Sequence, residues 1–149
     1  MPVAAPIEAQ VLDAILAACS GIGTGGTWRS TPYSMLDGVP NDDMGALDRQ
    51  RTFLQHVRSE PSTDVGDLSR HGWMLTFNVW VAATSMRGVL DTRRDVLVAI
   101  YAAEGTFQNS FRQFLMPGGF AFHDDLMKSG VWLGTQTFTL NVETDHATP

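Results

Sequence analysis

The chain reads as an α+β domain, with two helices packed on one face of a mainly antiparallel sheet in the order α-β-β-β-α-β-β. Three observations predict it. Two segments repeat apolar residues at helical spacing, two longer ones alternate with a period of two, and glycine- or proline-rich stretches separate them. The 149 residues fit one domain spanning 1–149, and 44% apolar content is enough for a packed core.

The first helix spans residues 5–18, APIEAQVLDAILAA. Ile7, Val11, Leu12, Ile15 and Leu16 form its stripe, and Pro6 suits a first turn that needs no backbone donor. Gly21, Gly23, Gly25 and Gly26 release the chain into an extended segment at 27–36, which Pro32 restricts to a sheet edge. Residues 37–51 read as a loop with four Asp and two Arg, followed by a strand from Thr52 to Arg58 and a polar, mobile tip at 59–70. Residues 72–83, GWMLTFNVWVAA, are the clearest strand. Trp73, Leu75, Phe77, Val79 and Val81 share one face, and Trp80 on the other suggests a covering there, such as another subunit.

Asp91 is the expected N-cap of a second helix, 91–104, whose buried stripe is Val96, Leu97, Ile100 and Tyr101 and which Gly105 closes. Residues 106–118 carry Phe107, Phe111 and Phe114 at helical spacing before Pro117-Gly118-Gly119, so a short helix and a packed loop both fit. A strand at 119–127 and a turn at 128–130 follow. The last strand, 131–143, puts Trp132, Gln136, Phe138, Leu140 and Val142 on one side. The tail, 143–149, is expected to be disordered.

The chemistry-bearing residues form no recognisable catalytic set. Ser20–Gly26 is glycine-rich but follows a helix and lacks Gly-Lys-Ser/Thr, so it reads as a connector rather than a phosphate loop. His56, His71, His123 and His146 make no i, i+4 ligand pair. His123-Asp124-Asp125 places adjacent carboxylates on opposite faces of a strand, which is poor chelation. Asp37, Asp42, Asp43 and Asp48 miss the calcium-loop spacing. Cys19 is the lone cysteine and reads as a buried thiol. No metal, cofactor or enzymatic activity is expected.

The net charge is −6, with nine Arg and one Lys, which disfavours sequence-independent DNA binding. No apolar run is long enough for a membrane span, and the N-terminus lacks a signal-peptide pattern, so synthesis in a cytoplasm is expected. Trp73, Phe77, Trp132 and Phe138 read as core. Trp80, Phe107, Phe111 and Phe114 exceed what one small core requires and become interface candidates.

This ordering resembles the tail-terminator family of tailed bacteriophages. The likeness lies in the helix VLDAILAA, the Gly-rich turn with TWRSTPYSM, the strand GWMLTFNVWVAA, the helix opened by DTRRDVLVAIYAA and the final strand GTQTFTLNVET. It implies a virion structural protein: a hexameric homo-oligomeric ring that caps the tail tube, contacts the tail-tube protein and the head connector or neck, and lets DNA pass without specific binding. No catalytic residue is implied. Composition alone nominates Asp42, Asp43, Arg49 and Arg51 in the acidic-to-basic loop, with Trp80, Phe111, Arg112 and Phe114, as contact residues. A head-closure or tail-tube subunit is the alternative. An enzyme or small-ligand binder, with a pocket lined by His123, Asp124 and His56 or His71, is a third reading.

Overall fold

The computed structural model describes residues 5–19, 36–37, 51–62, 70–83, 85–123 and 132–145. In these, three helices and five strands follow one another as α1 (Ile7–Ala18), β1 (Leu36–Asp37), β2 (Arg51–Ser62), β3 (Arg70–Ala83), α2 (Met86–Ala102), α3 (Glu104–Phe111), β4 (Met116–Phe122) and β5 (Trp132–Asp145). The sheet order is β1-β2-β3-β5-β4. The four long strands are antiparallel to their neighbours, and the two-residue β1 adds a short parallel pairing with β2. The α+β class and the helices on one sheet face are as the sequence predicts.

Alternation decides the layers. On β3, Leu75, Phe77, Val79 and Val81 are buried on the face that receives the helices, beside Leu54 of β2 and Phe138, Leu140 and Val142 of β5. Val11 and Ile15 of α1, Val89, Val96 and Ile100 of α2, and Phe107 of α3 complete one continuous core. Burying large apolar side chains of this kind contributes roughly 1.5–3 kcal/mol each.

Several boundaries differ from the sequence reading, each for a local reason. Helix α2 starts at Met86, not after Asp91, because Ser85 is extended and its Oγ accepts the Gly88 N–H at 3.0 Å. Asp91 instead lies within the helix, between Arg87 and Arg94. The helix stops at Ala102, and Gly105 lies in the first turn of α3 rather than closing α2. Residues 106–111 are helical, resolving the choice between helix and packed loop.

Strand β2 continues through Ser62, where a polar tip was expected. A register shift between His56 and Arg58 accommodates one extra residue, and pairing with β3 then resumes to Ser62↔Gly72. Strand β4 begins at Met116, three residues early. Pro117 is tolerated because β4 lies at the end of the strand order, and a second irregularity spans Pro117 to Phe120. Strand β5 extends to Asp145, so residues 143–145 are paired with β3 rather than part of a loose tail, and Trp73 Nε1 donates to Thr144 Oγ1 at 3.0 Å. Residues 27–35 of the expected edge segment, the Gly-rich connector 20–26, residues 38–50 of the expected loop, residues 124–127 of the expected strand, the turn 128–130 and residues 146–149 lie outside the described residues.

Candidate interaction surface

Helix α2 carries two apolar stripes. Its inner stripe, Val89, Val96 and Ile100, is fully buried. Its outer side exposes Met86 (49%), Leu90 (42%), Val98 (60%) and Tyr101 (49%). At about 100° per residue, Arg93, Met86, Leu97, Leu90 and Tyr101 fall within a sector of about 80° on one flank. That flank faces strand β4, because Arg93 reaches the Phe120 ring there at 5.0 Å. Val98 stands further out, among charged groups that largely satisfy one another: Arg87 and Arg94 both pair with Asp91, and Arg94 also with Asp95.

The apolar surface extends beyond the helix. Tyr101 stacks on Phe114 with centroids 5.9 Å apart, and Met116 follows, exposed, at the start of β4. Phe120, Phe122 and Trp132 form a further row of edge contacts, at 5.2 Å and then 6.0 Å. Trp132 is 37% exposed, a correction to its expected place in the core. Scattered exposed apolar side chains are ordinary, whereas contiguous ones with Met, aromatic and Arg residues are the composition of an interface.

Beneath this surface lies a polar contact that hydrophobic patterning does not reveal. Gln136 is fully buried on the helix-covered face of β5. Its Nε2 donates to the carbonyls of Gly118 at 2.8 Å and Thr137 at 3.0 Å, and its Oε1 accepts from Arg93 Nε at 2.8 Å. Phe120 lies against Gly134, where an added Cβ would meet the ring at 2.5 Å. The close approach requires glycine there.

The sequence-nominated residues separate into groups. Phe114 belongs to the α2 surface. Phe111 and Arg112 line a different cleft of about 560 Å³, with Ile7, Ser62, Asn141 and Glu143 among its other walls. Arg112 is the left-handed C-cap of α3, at φ 60°. Trp80 is only 9% exposed and packs within its own chain: its Nε1 donates to Gln55 Oε1 at 2.8 Å, and its ring lies 4.9 Å from His123. Phe107 is fully buried, so its ring is core. Arg51 begins β2. Asp42, Asp43 and Arg49 lie outside the described residues, as do Asp48, Asp124 and His146.

The remaining histidines do not converge. His56 sits under α1. Its Nε2 lies 3.0 Å from Ser59 Oγ, which donates to Glu8 Oε1 at 2.8 Å, so the imidazole is the donor to the serine. His123 is on the opposite face, bonded to Thr135 Oγ1. His71 is six residues along β3 from Phe77, the partner of His56, or about 20 Å away at strand rise. Among the described residues, no group of three or more His, Cys, Asp or Glu is arranged to hold a metal ion. Cys19 is buried at the end of α1, and burial pushes its thiol pKa up to about 12. No described helix is long and apolar enough to cross a membrane.

Compared with known proteins, the chain matches no family model and no curated sequence.

Proposed function

We propose that the chain is a non-enzymatic structural subunit that assembles with copies of itself, and that the assembly is a hexameric ring of the phage tail-terminator type. In that role it caps the tail tube, meets the head connector and belongs to the virion's tail or neck. The observation that carries the self-assembly is the exposed side of α2: Met86, Leu90 and Tyr101 are exposed on the flank beside its buried stripe, and Val98 stands opposite that stripe. A helix serving only its own core needs one apolar stripe. The ring form rests on the resemblance in element order. A ring also requires a heterologous interface, in which this surface meets a different one on the next subunit.

A small-ligand reading has one observation in its favour, the cleft lined by Phe111, Arg112, Asn141 and Glu143. A ligand co-purifying with the chain and displaced by a bulky substitution at Ser110 would favour it.

Light-scattering mass with negative-stain microscopy tests the proposal. The expected result is a closed sixfold ring with six times the 16.3 kDa mass of one chain. Long tubes would favour a tail-tube subunit. A monomer at every concentration would overturn self-assembly.

A further inference from the structure

We infer that Arg93 is the centre of a carboxylate-binding site where α2 meets β4. The inference goes beyond the ring reading and holds for a monomer as well as an oligomer.

A salt-bridge partner on the same helix must lie three or four residues away. Around Arg93 those positions are Val89, Leu90, Val96 and Leu97, all apolar. The acids of α2, Asp91 and Asp95, are two residues away on other sides and pair with Arg87 and Arg94. None of the ion pairs formed by Arg58, Arg87 and Arg94 reaches Arg93. Among the described residues, this half-buried guanidinium has no countercharge, in a chain with 16 acidic residues and 10 basic ones.

The side chain is nevertheless held firmly. Nε is bonded to Gln136 Oε1, and the Gln136 amide is fixed in that orientation by two backbone carbonyls. The guanidinium lies over Phe120, and Phe120 is seated against Gly134. With Nε engaged, the two terminal nitrogens are left to present paired N–H donors. That fork matches the two oxygens of a carboxylate. The flanking apolar residues, Leu90 and Met86 on α2 and Phe122 on β4, favour a carboxylate carried on an apolar stem. Either a free organic acid or an acidic side chain of a second copy supplies this chemistry.

The test follows the Arg93 Nε–H signal in an isotope-labelled full chain by NMR, assigned by its loss in Arg93→Lys. Sodium acetate is titrated against sodium chloride at constant ionic strength, in dilute and in concentrated protein. A saturable shift with acetate in dilute protein, absent with chloride and absent at Arg94, is expected for a free acid. A shift that appears with protein concentration, without acetate, assigns the carboxylate to a second copy. In either case Phe120→Leu should weaken the interaction by several-fold, and Arg93→Gln, followed at the Phe122 backbone amide, by roughly tenfold, the loss of a charge-assisted hydrogen bond. Shifts that stay linear and equal at Arg93 and Arg94, with no dependence on protein concentration, would overturn the site. So would an Nε–H exchanging as fast as a solvated one, since the bond to Gln136 would then be absent.

Discussion

The two long helices lie on the same sheet face and differ on their other sides. Helix α1 buries Val11 and Ile15 and turns Gln10, Asp13 and Ala17 outward, so its exposed side is polar or small. Helix α2 buries an equivalent stripe and turns Met86, Leu90, Val98 and Tyr101 outward. Inside the chain the helices do the same work. Outside it, only α2 keeps apolar surface that water solvates poorly. The contrast separates residues that build the fold from residues available for a partner.

The inner sides should respond alike. Ile15→Ala and Ile100→Ala each remove a fully buried side chain and are expected to cost about 2–5 kcal/mol, read as lower urea midpoints. A near-neutral result at either would mean that helix is not part of the common core. The next effect belongs to the α2 side alone. Gly134→Ala drives a methyl group into Phe120 and should cost about 1–3 kcal/mol, with a changed Arg93 signal as the Phe120 ring moves. Capping sharpens the contrast again. Helix α1 has Pro6 before it and no side-chain cap, whereas α2 has Ser85. Ser85→Ala should therefore cost about 1 kcal/mol in thermal or urea unfolding.

Much of this comparison is legible in the sequence. The α1 stripe, the alternation of 72–83 and the even-numbered apolar side of the last strand all appear where periodicity puts them, because burial selects side chains at a fixed repeat. Periodicity also misleads at Tyr101 and Leu97, which continue the inner stripe by residue type but rotate outward or to half-burial in the actual helix. The α2 start is not legible in the sequence because Asp91 and Ser85 are both competent caps, and only the fold reveals which is extended. Trp132 has the alternation of a core residue, yet it lies at the first position of its strand and is partly exposed. The Arg93–Gln136–Phe120 contact had no local signal. Its members are 27 and 43 residues from Arg93, and only the crossing of β4, β5 and α2 brings them together.

Cys19, at the end of α1, supplies a pH test of burial on that side. Its thiol pKa is raised from 9.0 to about 12 in the fold. The folded chain therefore holds the proton more tightly than the unfolded chain, and this contribution to stability is complete below pH 9.0 and falls away as pH rises from there to about 12. Urea midpoints should decline over that alkaline range, and Cys19→Ala should flatten the decline. An unchanged decline in Cys19→Ala would place its cause elsewhere.

The central claim is that α2, and not α1, offers a surface to another copy. The direct measurement is native mass for two double variants, Leu90→Glu with Val98→Glu on α2 and Gln10→Glu with Ala17→Glu on α1, each with its unfolding midpoint. The account predicts an assembled wild-type chain, an α1 variant that still assembles, and an α2 variant that remains folded but runs as a monomer. An α2 variant that assembles as well as the wild type would contradict it.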